Sequence, residues 1–484
     1  MTPFNPLPIL PLIVLGASAC VSLALLSWRR RHGLVLASTL VGLAASVASL
    51  PFTAAAVDRQ VTPLIRMDGF ALFMFVLLAG AAAVVALLSH AYLDKRRENP
   101  EEFYVLLQTA TLGSAVLAAS THFASFFLGL ETLSISLYAL ISYSRTQRLC
   151  VEAGVKYLML AGATSGFLLF GMALLYAETG TLQFAELATR LATATPGGMI
   201  VTAGLALLVV GVGFKLALVP FHLWTPDVYQ GAPAPVTAFI ATVSKGGMVA
   251  AVVRLLMQIG LPRESTIFIV LSAIAAASML AGNLLALLQT NVKRILAYSS
   301  IAHFGYVLVA VLADGDLALP AVTFYLLAYF VTSLAAFGVV TVLSESERDA
   351  ESIADYRGLF WRSPGLATVL TVSLLSLAGI PLTAGFLGKF YVLSAGIESS
   401  LFGLAAVLAV GSAVGIYYYL RIILVMAEGA GTDPHAVEAP LAGKPWVPIA
   451  AGAVLSALVL LVVWLGVQPG AVQRLIQTAV ASLT

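Results

Sequence analysis

Charge is what this chain most lacks. Only 10% of its 484 residues are Asp, Glu, Lys or Arg, against about a quarter in a soluble globular domain, and a soluble enzyme is excluded on that ground. The 25 Lys and Arg nearly balance the 23 Asp and Glu and lie scattered, so there is no basic patch with which to hold nucleic acid. Cysteine is almost absent: Cys20 and Cys150 stand alone, with no CxxC and no histidine-rich neighbourhood. They support neither an iron–sulfur cluster nor a structural zinc site. No metal ligands and no cofactor-binding residues are read from this chain.

What is present is apolar. Hydrophobic residues make up 60% of the chain and the mean hydropathy is +0.99. A helix of about 20 apolar residues spans the hydrocarbon core of a bilayer, and by that measure the chain is an all-α polytopic membrane protein with about 14 transmembrane helices. They centre on 9–28, 34–56, 69–92, 103–120, 122–143, 154–177, 199–220, 235–259, 266–288, 294–313, 319–343, 365–393, 401–426 and 447–466. Between the fourth and fifth lies only the short polar stretch Ser120, Thr121 and His122. The segments are continuously apolar rather than alternating, which excludes a β-barrel. The first span has no basic residue ahead of it and Arg29, Arg30 and Arg31 behind it, so it reads as an anchored span rather than a cleaved signal peptide. Of the basic residues outside spans, 15 follow odd-numbered spans and six lie on the opposite side. The positive-inside rule then puts the odd connections in the cytoplasm and both termini outside. The longest polar stretch, Ser344 to Arg362, is too small for a domain.

Five spans carry a charge that is expensive there: Glu131, Lys156, Lys215, Lys245 and Lys389. Each costs on the order of 2.5–3.5 kcal/mol at a bilayer centre, so such residues are rare and usually functional. Plainer readings stand beside that one. Lys156, near the start of its span, can snorkel to the interface, and Glu131 can hold helices together by pairing with a lysine. Yet four lysines and one glutamate do not balance as a static salt-bridge set. Burial disfavours the charged form of any ionisable group, which brings lysine and glutamate toward neutrality, as a proton relay requires. Glu131, Ser134 and Tyr138 fall on one helix face, and so, on helical spacing, do Lys215 and His222. Ser299, Ser300, His303 and Tyr306 give the tenth span a polar stripe. Histidine switches charge near pH 7, although a lone intramembrane histidine is more often a hydrogen-bonded core residue.

Two spans contain helix breakers. Pro220 follows Lys215 in the seventh, and Gly379, Pro381 and Gly385 precede Lys389 in the twelfth. Lipid cannot satisfy the backbone groups that a break frees, so such breaks line a buried cavity. Transporters place broken helices in corresponding positions of two inverted halves. Spans seven and twelve, five apart and opposite in direction, have the parity for that, although one lysine precedes its proline and the other follows. The expected division is 1–100 for three N-terminal helices, 101–260 and 261–427 for two inverted five-helix repeats (spans 4–8 and 9–13), and 428–484 for a C-terminal helix.

The run Phe214-Lys215-Leu-Ala-Leu-Val-Pro220-Phe-His222-Leu-Trp224-Thr-Pro226-Asp227-Val-Tyr229-Gln-Gly231 resembles the signature of the antiporter-like, proton-translocating subunits of respiratory complex I. Glu152-Ala-Gly-Val-Lys156-Tyr, Lys293 through Tyr306 and Leu377 through Phe390 agree, and the resemblance runs from about residue 65 to 425. Lys389 stands where a glutamate is expected in subunit M, and the tail after the last span is far shorter than the lateral helix of subunit L. Subunits of multisubunit cation/proton antiporters and of membrane-bound hydrogenases are also similar and form the alternative.

The resemblance implies that Glu131 and Lys215 form a pair whose approach or separation governs the lysine's proton, with Lys156 modulating it. Lys245 is then a central relay and Lys389 lies nearest an exit or the next subunit, with His222 and His303 as bridging members. It also implies an enzyme whose NADH, FMN, iron–sulfur clusters and quinone are bound elsewhere. Expected partners are other membrane-arm subunits (M and K as neighbours, and the lateral helix of L) and membrane lipids, with no nucleic acid. The expected location is the bacterial inner membrane, with both termini periplasmic.

Overall fold

The computed structural model describes residues 6–55, 60–96, 99–193, 198–260, 262–429 and 445–483. Arg59, Arg97 and Lys444, counted above toward orientation, lie outside the described residues.

The chain is a bundle of apolar helices. In order they are α1 (Leu10–Trp28), α2 (His32–Ala48), α3 (Gly69–Arg96), α4 (Glu101–Ala119), α5 (Phe123–Ile141), α6 (Arg148–Thr179), α7 (Met199–Leu216), α8 (Trp224–Gly231), α9 (Ala234–Ile259), α10 (Thr266–Leu287), α11 (Val292–Leu312), α12 (Ala318–Leu343), α13 (Pro364–Ala378), α14 (Ala384–Glu398), α15 (Phe402–Ala427), α16 (Ile449–Val467) and α17 (Gly470–Val480). Thirteen described helices are long and apolar enough to cross a membrane. The expected twelfth span, 365–393, is divided between α13 and α14, neither of which is long enough to cross alone. The protein is therefore a multi-pass α-helical membrane protein. A two-stranded ribbon, Gln60–Thr62 with Ile65–Arg66, is a minor addition.

The narrow division between the fourth and fifth spans holds, and its cause is visible. Ser120 leaves α4 in extended conformation, and His122 caps α5 by accepting from the Ala124 amide at 3.0 Å. The Thr121 amide donates to Leu64 and its carbonyl accepts from Phe184, so the turn's backbone is satisfied by neighbouring chain rather than by lipid.

Burial sorts the helices. In their apolar windows α9 is 100% buried, α12 94% and α11 89%, whereas α6 and α16 reach 28%. The first three form the axis, and the others surround it. Without a hydrophobic drive between helices inside lipid, close backbone contact through small residues does the packing. Gly171 of α6 and Gly204 of α7 meet in this way: a Cβ on Gly171 would lie 2.8 Å from the Gly204 carbonyl oxygen.

Two features differ from the sequence expectation. The tail after the last span includes α17, whose Ile476 and Val480 are buried where it packs on α3 and α12. Arg254, one of the six basic residues counted on the opposite side although its position falls within 235–259, lies in α9 and is buried. Its guanidinium holds Asp68 by two contacts of 2.5 and 2.9 Å and donates to the Ala118 carbonyl at 3.2 Å, while Asp68 also caps the Ala71 amide at 2.9 Å. Breaking a buried pair by removing one partner costs on the order of 3–5 kcal/mol, because the other charge is left unmatched. Arg254→Met alone is thus expected to lower the thermal unfolding midpoint of the detergent-solubilised complex. Arg254→Met with Asp68→Asn should recover part of the loss, and equal losses in single and double variants would refute the pairing.

Candidate functional site

The two breaks decide where the lysines sit. At the first, α7 ends at Leu216 with Ala217 in left-handed conformation (φ 61°), and the chain resumes as α8. The sequence reading ended this span near Pro220 and did not anticipate α8 as a second half. At the other, Gly379 (φ 85°) ends α13, and the chain turns through Leu382 before α14. The last turn of any helix leaves carbonyls without intrahelical partners, and the helix dipole makes that end attractive to cations. Lys215 lies in the last turn of α7, where Trp224 Nε1 donates back to the Phe214 carbonyl at 3.0 Å. Lys389, on α14, reaches back so that its Nζ donates to the freed Ala378 carbonyl at 2.9 Å. The lysines differ in order relative to their prolines, yet both stand at the carbonyl end of a first half-helix.

Lys215 is 4% exposed and donates only to neutral groups, Ser134 Oγ at 3.0 Å and Tyr157 OH at 2.9 Å. Glu131, half-buried, accepts from Ser165 Oγ at 2.6 Å. Among the described residues no ion pair within 4.0 Å joins the two. Beside Lys215 lies a void of about 10 Å³ lined also by Ser134, Thr164 and Ser165, the last of which holds Glu131; it is roughly the smallest that takes one water.

Lys245 is fully buried and follows a π-helical turn, Ile240–Ser244, in α9. Such turns mark functional sites in many helices, and no residue pattern announced this one. Lys245 Nζ donates to Ser300 Oγ at 2.8 Å and faces the Phe304 ring at 4.6 Å. Tyr329 OH donates to the same hydroxyl at 2.8 Å. One helical turn on, His303 Nδ1 meets Tyr325 OH at 2.6 Å and its Nε2 lies 3.3 Å from Tyr419 OH, which also contacts Ser299. Lys389 completes the row with Ser412 Oγ at 2.8 Å and the Tyr306 ring at 5.4 Å. A second void of about 10 Å³ lies between His303, Tyr325, Tyr329, Thr332 and Ser376. Three lysines and one histidine are thus embedded in hydroxyls, with no carboxylate in direct contact among the described residues.

Lys156 stands apart. Its side chain is 43% exposed and bound by two carboxylates, Glu152 at 2.8 Å and Asp227 at 2.9 Å. It does not touch Glu131 or Lys215, and an ion pair at a partly exposed site fits the interfacial reading. His222 is not on a helix face with Lys215: α7 ends between them, and His222 lies in the turn before α8, 7% exposed, with Nδ1 unpartnered among the described residues. Helical spacing misplaced it because Pro220 intervenes.

Charged groups outside the five were missed. Asp227 bridges Lys156 and Arg294, the latter at 2.8 Å. Asp349, in the connection after α12, takes Lys293 at 2.7 Å, Arg96 at 2.6 Å and Tyr92 OH at 2.8 Å. Burial pushes the Asp349 carboxyl up, but Lys293 and Arg96 beside it outweigh burial and hold it below the usual carboxylate range. Its stabilisation is therefore complete above the ordinary value near 3.8 and is lost as pH falls through the lowered one. The sequence offered a signal for Asp68, an acid at the start of the apolar run of α3, but none for Asp349, which lies among the other charges of the polar stretch after α12.

Interrupted helices holding lysines at their breaks, in a bundle of this size, define the class of antiporter-like membrane subunits of ion-translocating complexes. Residues 120–415 match the family model described as NADH:quinone oxidoreductase/Mrp antiporter, TM. Over 439 residues the chain is 49% identical to the NADH-quinone oxidoreductase subunit N of Methylococcus capsulatus, covering 90% of this chain and 89% of that protein. It superimposes on a chain of respiratory complex I from Thermus thermophilus with TM-score 0.80 and 34% identity, over 96% of this chain and 98% of that one. A chain of the Mrp complex from Dietzia sp. DQ12-45-1b shares the fold at TM-score 0.86 and 23% identity, over 100% of this chain and 98% of that one. The chain belongs to the subunit N family of NADH-quinone oxidoreductase, a membrane part of an enzyme complex.

The Asp227 and Asp349 pairs differ in exposure, and magnitude separates them. Partly exposed pairs contribute about 0–1 kcal/mol, and breaking a buried one costs on the order of 3–5 kcal/mol. Asp349→Asn is expected to lower the unfolding midpoint of the solubilised complex clearly, and Asp227→Asn hardly at all; the reverse order would overturn this reading of burial.

Proposed function

We propose that the chain moves protons through its row of buried ionisable groups, driven by quinone reduction elsewhere in the parent complex. One observation carries the reading: Lys215, Lys245 and Lys389 are each buried in lipid-depth structure with hydroxyl partners instead of carboxylates. A static lysine in such a place would be matched by a counter-charge. A lysine that must give up and regain a proton is better served by hydroxyls, which accept from the charged form and donate to the neutral one.

Glu131 and Lys215 act as the switch. Approach of the carboxylate favours the charged lysine, and retreat frees its proton. The separated arrangement described above, with Glu131 on Ser165 and Lys215 on Ser134 and Tyr157, is the second of these states. Lys245 relays through Ser300 and the hydroxyls around His303, and Lys389 is the group nearest an exit or the next subunit. Lys156 acts on the switch only indirectly, through Asp227. His222, outside the hydrogen-bonded row, keeps the weaker bridging role. Residues 101–260 and 261–427 are the two inverted halves.

The partners are other membrane-arm subunits, with M and K as neighbours and the lateral helix of L alongside. NADH, FMN, iron–sulfur clusters and quinone belong to those and the remaining subunits. The membrane is the bacterial inner membrane, with both termini periplasmic.

Lys215→Ala and Glu131→Ala are each expected to cut NADH-driven proton uptake by membrane vesicles several-fold, together with coupled turnover, while a native gel shows the complex assembled. Full pumping with either alanine would remove these residues from the pathway. Failure to assemble would instead make the charges structural glue. Cation-for-proton exchange by the complex without NADH would favour the antiporter alternative.

A further inference from the structure

The end of the bundle that carries Arg29–Arg31 holds a group of side chains that the lysine row does not use. His32 opens α2, His90 and Asp94 lie one turn apart near the end of α3, and Tyr104 lies in the first turns of α4. His32 Nδ1 is 2.6 Å from Asp94 Oδ1, and His90 Nδ1 is 3.4 Å from Asp94 Oδ2. The two imidazoles stack at 4.1 Å, 15° from parallel. One ligand atom from each of the three residues lies within 4.8 Å of the others.

We infer that His32, His90 and Asp94 form a binding site for one divalent transition-metal ion of the zinc class. The donor set is two imidazole nitrogens and a carboxylate oxygen, which suits zinc, cobalt or nickel rather than calcium or magnesium. Zinc–ligand bonds of about 2.0–2.1 Å place the ligand atoms of a tetrahedron roughly 3.3 Å apart. The ligand atoms lie within 4.8 Å of one another; because His32 and His90 contact different oxygens of Asp94 and their rings stack, binding turns the imidazoles so that both ring planes contain the ion. His90 and Asp94, at i and i+4, present their donors from one helix face, and His32 closes the site from the neighbouring helix.

Tyr104 supplies what such a site needs behind its ligands. Its hydroxyl lies 2.6 Å from His32 Nε2. With no metal, a proton on His32 Nδ1 serves the Asp94 carboxylate, and Nε2 accepts from the tyrosine. With metal on Nδ1, the proton moves to Nε2 and the tyrosine oxygen accepts it. A hydroxyl satisfies the ring in both tautomers, and this kind of outer partner orients a ligating histidine. The neighbouring cation Arg30 is engaged by Glu102 at 3.0 Å, which leaves Asp94 to the imidazoles. The Asp94 side chain is 52% exposed and that of His90 38%, so an ion reaches the site from the aqueous edge, with a fourth position open to water.

The site escaped sequence reading because its ligands lie on two helices far apart in the chain. It also stands independently of the lysine pathway, since none of its members belongs to that row.

The test uses the intact complex, stripped with chelator, incubated with zinc chloride and desalted. Wild type is expected to retain one zinc ion per complex more than His90→Ala or Asp94→Asn, by elemental mass spectrometry. Zinc should also shield His32 and His90 of the wild type from diethylpyrocarbonate, read by peptide mass mapping, a measurement that does not depend on whether the variants assemble. Equal zinc content in wild type and variants, or unshielded histidines in zinc-loaded wild type, would overturn the assignment and leave a simple histidine–aspartate–tyrosine hydrogen-bond chain.

Discussion

A helix that stops inside a membrane leaves carbonyl oxygens that neither water nor lipid can satisfy. Much of the candidate site follows from how this chain answers that demand. At the end of α13 the answer is an ammonium group, Lys389 on Ala378. At the end of α7 it is an indole, Trp224 on Phe214, with Lys215 alongside in the same turn. Break and charge are one device: the interruption supplies the negative end of a helix dipole at mid-depth, and that field makes a buried cation tolerable. The lysines in turn gather hydroxyls, and the hydroxyls give the interior its polar row.

The middle of that row, Lys245 with Ser300, His303, Tyr325 and Tyr329, lies on the most buried helices, α9, α11 and α12. The row's members come from at least five helices, so its geometry depends on the packing of the whole axis rather than on any local motif. The ion pairs outside it serve a different purpose. Asp68 with Arg254, and Asp349 with Lys293 and Arg96, are matched charges that tie helix ends together. Unmatched lysines and matched pairs thus divide the chain's few charges between the proposed transfer row and the architecture.

Much of this was legible in the sequence, because hydropathy reports directly on lipid exposure. The spans follow from apolar runs, the breaks from Pro220, Gly379 and Pro381, and the lysines from the cost of a charge in a bilayer. What was not legible depends on meetings across helices. Helical spacing put His222 beside Lys215, but the turn at Ala217 lies between them. Lys156 counted as one of five buried charges until Asp227, on another helix, was found beside it. Arg254 was counted with the charges outside spans, and its partner Asp68, far away in the chain, is what lets it stay buried within α9. The π turn before Lys245 leaves no mark in residue type at all.

The contact at Asp227 has a mechanical side. One carboxylate is shared by Lys156 of α6 and Arg294 of α11, so a single anion has two claimants rooted in different helices. Should α11 draw its arginine aside by a few ångströms, the lysine inherits the whole negative charge; should α6 tilt away, the arginine does. The joint is therefore placed like the pivot of a balance beam: a small slide of either helix would redistribute potential beside the other.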